Sequence, residues 1–310
     1  MAFQPTSTFS FCAAFLAVFT TWDSARGGDK ETPAAAVTEP FKLPISWESN
    51  LDMSGVARST FEGERTVRKV DSLEASVRAI GAYQVKDGAE IRFGLEFERH
   101  SFGLSDKTPL PDELQAFHLT LGTDLQLGHA WLVRFEIQPG FYWGDDGIRA
   151  RDFSYPMLLG ASYFVSSDLQ LVAGVSYNPE RKYPVLPGIG FRWKFATDWV
   201  LDAVLPTPRL EYSLSKSVTL YAGADLKDDT YRVSGTFGRD HGNPSLNNAV
   251  VDYSEVRVGG GATWKINNSF TFEAELGCEL VDEFDFDRAN VKYRSVQTPP
   301  YGGISLKAAF

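Results

Sequence analysis

The residues most able to do chemistry in this 310-residue chain are charged side chains that recur at every second position. Glu90, Arg92, Glu96 and Glu98 alternate with Ile91, Phe93, Leu95 and Phe97, so one face of this stretch is charged and the other large and apolar. The same period of two places Arg134 with Glu136, Arg192 with Lys194, Arg209 with Glu211, Glu255 with Arg257, and Glu273 with Glu275. That period belongs to β-strands. Dry burial of so many charges without partners would be prohibitive, so the charged faces require water or one another. They predict either a wet lumen whose mixed charge shapes selectivity, or a salt-bridged interior that conducts nothing.

Other chemistries find no footing. Of the four histidines, His118 reads as inward-facing, His129 falls in a short turn, and His100 and His241 fall in outer loops. Neither G-x-S-x-G nor H-E-x-x-H occurs, so no residue is assigned a catalytic role. Gly259-Gly260-Gly261 is followed by no helix, which a phosphate loop needs, and reads as a bend in a strand. Gly144-Asp145-Asp146-Gly147, Asp228-Asp229 and the run from Asp282 to Asp287 read as solvated outer loops. They lack the spacing of a calcium loop, and no metal or cofactor is expected. A net charge of −10 with no basic stripe argues against nucleic acid.

Positioning these side chains takes about 14 antiparallel strands. Segments of alternating pattern begin near Trp47, Leu73, Glu90, Phe117, Trp131, Tyr155, Leu169, Ile189, Trp199, Leu210, Val218, Val256, Phe270 and Gly302. Trp47–Ala57 is the weakest; without it, or with Trp199–Leu214 behaving differently, the count falls back to 12. Short turns at 86–88, 127–129, 166–167, 196–197, 215–216 and 267–268 alternate with longer polar connections near 59–71, 100–112, 143–153, 178–185, 236–250 and 284–299. A tight outer loop at Leu205-Pro206-Thr207-Pro208 completes the set.

Short turns on one side and long loops on the other mark an all-β transmembrane barrel. A secreted β-sandwich shares the alternation. The barrel is favoured by its heavily charged inner faces, by aromatics near strand ends, and by the terminal Phe. Those aromatics are Trp131, Trp143, Tyr163, Tyr177, Trp199, Trp264 and Tyr301. A mean hydropathy of −0.19 with 14% aromatics suits a wall that is apolar outside and polar inside. The last strand places Ile304, Leu306 and Phe310 on the lipid face and closes the barrel against the first.

Phe9 to Phe19 suits the apolar core of a signal peptide, being too short to span a bilayer as a helix. The expected organisation is a signal peptide over 1–25, a periplasmic lead-in over 26–46, and a barrel over 47–310 with both termini on the short-turn side.

Tyr183-Pro184-Val185-Leu186-Pro187-Gly188-Ile189-Gly190 resembles a family of uncharacterised outer-membrane β-barrel proteins. The likeness continues through Pro206-Thr207-Pro208-Arg209-Leu210-Glu211-Tyr212 and Thr230-Tyr231-Arg232, and covers the second half of the chain with specificity. It implies a barrel and an outer-membrane location, and no activity. The expectation is therefore a porin-like barrel of a Gram-negative envelope passing small polar solutes. The alternative is a non-conducting structural or surface-interaction barrel. Expected partners are outer-membrane lipids and, through the C-terminal strand, the barrel-assembly machinery.

Overall fold

The computed structural model describes residues 45–64, 66–86, 88–104, 108–144 and 147–310. The expected signal peptide, nearly all of the lead-in, and the acidic pair Asp145-Asp146 lie outside the described residues. Seventeen hydrogen-bonded segments form one closed antiparallel sheet. Three pairs of segments are each one strand interrupted at Pro139, Pro156 or Pro299, because proline cannot donate to a ladder. Fourteen strands remain.

They are β1 (Ile45–Glu62), β2 (Val67–Lys86), β3 (Ala89–Gly103), β4 (Glu113–Leu127), β5 (Trp131–Ile137, then Gly140–Gly144), β6 (Phe153–Ser154, then Met157–Phe164) and β7 (Leu169–Tyr177). Then follow β8 (Val185–Ala196), β9 (Trp199–Asp202), β10 (Arg209–Ser213), β11 (Val218–Arg232), β12 (Val250–Lys265), β13 (Phe270–Phe286) and β14 (Val291–Ser295, then Pro300–Ala309).

The last strand closes on the first, with register from Glu48 opposite Ala309 to Val56 opposite Tyr301. Trp47 and Phe310 exchange two backbone hydrogen bonds of 3.0 and 2.9 Å, and the Phe310 ring meets Phe270 edge-on at 5.8 Å. Deleting Phe310 removes this final rung and its ring contact. It is expected to lower the yield of folded, heat-modifiable barrel in membranes more than Lys307→Met does, and equal yields would count against this.

The wall is apolar outside. Leu51, Leu73, Leu95, Leu119, Phe135, Leu159, Ile189, Leu276 and Ile304 are all exposed and all on the outward register. At the short-turn rim Trp47, Trp131, Tyr163, Trp193, Trp199 and Trp264 face outward, and Trp131–Tyr163 and Trp199–Tyr212 pair at 4.8 Å. Toward the loop end Phe153, Tyr155 and Tyr177 form a second outward run. Tyr155 and Tyr163 lie on one strand, and a rise of roughly 3.3 Å per residue with the usual tilt separates them by about 20 Å along the axis. That suits a lipid-facing band of about 25 Å between two aromatic girdles. Trp143 and Tyr301 do not join the girdles: they are 8% and 5% exposed and face inward.

Strand lengths are uneven. β1, β2 and β13 run 18, 20 and 17 residues, beyond the roughly 9–11 a bilayer requires, whereas β9 and β10 have 4 and 5. The stretches expected as outer loops near 59–71 and 284–299 are therefore largely strand, and the segment expected to continue from Trp199 to Leu205 leaves the ladder after Asp202. A register shift between Val256 and Arg257 reverses the alternation of β13 beyond Leu280. Asp282, Phe284 and Phe286, expected in a solvated loop, thus point inward and are buried.

The tall walls lean together at the loop end. Arg232 at the top of β11 bridges to Trp143 at the top of β5, a parallel pairing across strands that are not neighbours at the turn end. Beneath this pinch the residues 233–249 fold inward with a short helix α1 (Phe237–Asp240) and a 3-10 turn (Pro244–Leu246). Phe237 and Leu246 join Phe61, Phe102, Leu110, Leu114, Tyr253, Phe284 and Phe286 in a buried, largely apolar plug. Phe102, Tyr253 and Phe284 form a triangle of rings 4.7 to 5.3 Å apart.

Below the pinch one section of wall is fastened differently. The β8–β9 ladder rises only to Arg192, with Phe191 accepting from Ala203, and the β10–β11 side ends where Pro206 accepts from Leu226. Above that level the 178–184 connection bridges β8 to β11 and β12 mainly through side chains. Arg181 meets Asp228 at 3.6 Å, Glu180 meets Arg232 at 2.6 Å, and the Lys182 amide donates to Asp252 at 3.3 Å.

Candidate functional site

The candidate site is the lumen beneath the plug. Alternation turns the charged face of every long strand inward, and closure brings faces distant in sequence together. At the centre stands Arg257, whose side chain is 3% exposed. Its guanidinium lies 3.0 Å from Glu74, 2.9 Å from Glu255 and 3.3 Å from Glu279, and donates to Ser54 at 2.9 Å. Lys227 pairs with the second oxygen of Glu74. His100 lies 2.9 Å from Glu98 and 3.9 Å from Glu255, with its ring edge-on to Tyr253 at 5.2 Å. A buried cation is tolerable here because three carboxylates surround it, and each carboxylate in turn needs the cation.

Two further clusters sit nearer the turn end. Arg134 pairs with Asp124, and Arg92 approaches the same carboxylate at 3.9 Å. Arg209 meets Glu273 at 2.8 Å and lies 4.1 Å over the Tyr221 ring, while the Tyr221 hydroxyl donates to Glu273 and Glu275 at 2.7 and 3.1 Å.

Between the central cluster and the turn-end rim is a chamber of about 400 Å³. Its lining includes Asp52, Arg78, Glu96, Glu136, Arg209 and Lys307.

The structure distributes the predicted lumen residues over the chamber, the cluster above it and the turn-end rim. Glu96, Glu98, Glu136, Arg209, Arg257, Glu273 and Glu275 line the chamber, and Arg192 joins Asp202 and Glu211 at 3.4 and 3.5 Å. Glu255 lies deeper, at 1% exposure beneath the plug. Glu90 stands at the turn-end rim opposite Asp124. Lys194, two residues on from Arg192 in β8, is exposed at the same rim beside the turn after Ala196, outside the chamber.

His100 is corrected, since it is 2% exposed inside β3 rather than in a loop. Asp228 and Asp229 belong to the inner wall of β11, not to an outer loop. Lys227 was discoverable by carrying the β11 alternation one step past Leu226. Arg181 had no such signal, because it comes from a connection.

Gly259, Gly260 and Gly261 do not bend β12, which runs 16 residues with both ladders intact around them. Two of them seat rings instead: a Cβ at Gly261 would meet the Tyr221 ring at 2.6 Å, and one at Gly259 the Tyr301 hydroxyl at 2.9 Å.

Among the described residues, Glu74, Glu98 and His100 bring one potential ligand atom each within 4.8 Å. Glu74 is already held by Lys227 and Arg257, and Glu98 by His100, so this trio is a salt-bridged knot rather than an open cation site. Of the acids at and just past the end of β13, two are held by lysines: Lys182 meets Asp287 at 2.5 Å and Lys292 meets Glu283 at 2.6 Å. The hydrogen bond to Asp287 holds the Lys182 ammonium above its usual pKa.

The fold and site define a fourteen-stranded β-barrel with an apolar outer belt, a plugged mouth and a charged lumen. The profile of the family described as a domain of unknown function (DUF6268) matches residues 89–301, and the chain belongs to that family. The match starts at the first residue of β3, so it reaches well into the first half, where the resemblance had rested on pattern alone.

No curated protein matches the chain. The fold is similar to an outer-membrane channel from Pseudomonas putida F1, at 13% identity, TM-score 0.46, and 89% and 100% of the two chains covered. It is similar also to the Pseudomonas putida toluene transporter TodX, at 10% identity, TM-score 0.38, and 86% and 90% covered. A third is the translocator domain of the autotransporter NalP from Neisseria meningitidis, at 14% identity, TM-score 0.37, and 88% and 90% covered.

Proposed function

We propose that the protein is a gated outer-membrane channel for small polar solutes, held shut at the loop end by its plug. The observation that supports this best is the chamber itself: about 400 Å³ of space lined by charged side chains of both signs, with the Arg257 cluster and then the largely apolar plug above it. A barrel serving only as a structural shell has no need of such a chamber. The outward apolar belt and its girdles support insertion among outer-membrane lipids. On this reading a leader over 1–25 directs export, residues 26–46 precede the barrel on the periplasmic side, and the C-terminal strand engages the barrel-assembly machinery.

Reconstitution in a planar bilayer tests the proposal. The full barrel is expected to show brief, small conductance steps. A variant in which residues 234–248 are replaced by a short Gly-Ser link is expected to show larger and longer ones. If neither protein opens a step, the reading falls to a non-conducting surface barrel.

A further inference from the structure

We propose that the chamber is a binding site for small organic cations carrying more than one ammonium group. This deepens the passage reading, on which it rests, by naming the class of solute. Among the described residues ten carboxylates line the chamber against six Lys and Arg side chains. Several of the ten are matched: Glu74 by Lys227 and Arg257, Glu96 by Arg78, Asp228 by Arg181, and Glu273 by Arg209.

The surplus lies elsewhere. Asp52 accepts from Asn50 and Ser76, both neutral, and Glu275 accepts from the Tyr221 hydroxyl. Glu136 is 1% exposed, takes one hydrogen bond from Gln138 at 2.9 Å, feels the Arg92 charge without a hydrogen bond from it, and keeps its second oxygen buried without a hydrogen-bond partner. A buried carboxylate oxygen lacking a donor is costly, and a solute N–H would satisfy it.

Placement argues for an organic cation over a metal ion. Glu136 stands on β5 and Glu275 on β13, nearly half the ring of strands apart, with the chamber between them. No single ion reaches both walls, whereas a flexible di- or triamine can present an ammonium group to each. The chamber is within the roughly 300–1,000 Å³ of small-molecule sites.

The test is calorimetric titration of spermidine into the full-length barrel in zwitterionic micelles, near neutral pH and at low salt. Saturable binding is expected, weakened about tenfold in Glu136→Gln and again in Glu275→Gln. Both variants are first shown to fold by the wild-type gel shift on boiling. Citrate is expected to give no saturable heat. Absence of spermidine binding, wild-type affinity in both folded variants, or displacement of spermidine by equimolar Mg²⁺ would each overturn the proposal. Spermidine binding without any conductance step keeps this inference and removes the passage reading. Steps without spermidine binding do the reverse.

Discussion

Replacing Arg257 by Met is expected to cost the folded barrel about 3–5 kcal/mol, the usual consequence of stranding a buried charge. The guanidinium serves Glu74, Glu255 and Glu279 at once, and Glu255 and Glu279 are each 1% exposed. Met fills much of the space and supplies no charge, leaving Lys227 to neutralise Glu74 alone. Arg257→Lys keeps the charge but loses the fork that reaches several partners, so its loss is expected to be intermediate. Adding Glu255→Gln to Arg257→Met is expected to recover part of the stability, because it removes one uncompensated carboxylate. Urea unfolding of the refolded barrel checks all three. A midpoint within error of wild type for Arg257→Met would show that water, not Arg257, neutralises the cluster.

Gly277→Val is expected to cost more than about 3 kcal/mol, and to remove the folded band on gels, because overpacking here meets backbone. A Cβ at Gly277 would stand 2.1 Å from the Val258 carbonyl oxygen, 2.7 Å from Gly259 Cα and 2.6 Å from the Tyr301 ring. Trimming the ring with Tyr301→Ala relieves only the last of these, so it is not expected to rescue the variant. Gly302→Ala is the control on the adjoining strand. There the nearest atom, at 3.0 Å, is the tip of the Leu276 side chain, which can turn aside. A folded Gly277→Val barrel with native mobility would show that β12 and β13 can separate locally without loss.

The architecture was legible because a barrel wall imposes one rule on every strand. Ile91, Phe93, Leu95 and Phe97 face lipid, Arg92, Glu96 and Glu98 face the lumen, and both sets declare themselves at a period of two. The rule changes above the membrane, where the inside is apolar. Phe284 and Phe286 alternate with acids just as Phe93 and Leu95 do with charges, yet they point inward, because a bulge at Leu280 has reversed the register. Nothing in the residue types marks that reversal.

The plug escaped for a related reason: Phe237 and Leu246 are isolated apolar residues in a polar connection, and only closure supplies the rings they pack against. The Tyr221 and Tyr301 rings explain Gly261 and Gly259, but they sit on other strands, so the run of three looked like a bend. The charged chamber was largely readable strand by strand. Which carboxylates it leaves unmatched depends on who faces whom across the barrel.

The section of wall closed by the 178–184 connection depends on ion pairs where the joins beside it depend on backbone ladders. Hydrogen-bonded ladders set into lipid are insensitive to ionic strength, whereas half-exposed ion pairs are screened over a Debye length of about 8 Å at physiological salt. Glu180–Arg288 and Lys182–Asp287 are pairs of this kind and tie the connection to the turn after β13, while the less exposed Glu180–Arg232 ties it to β11. Saline surroundings are therefore expected to loosen the hold of this connection on the tops of β11 and β13, where no ladder shares the load, more than they loosen joins such as β1–β2, where Arg58–Asp71 only supplements backbone hydrogen bonds.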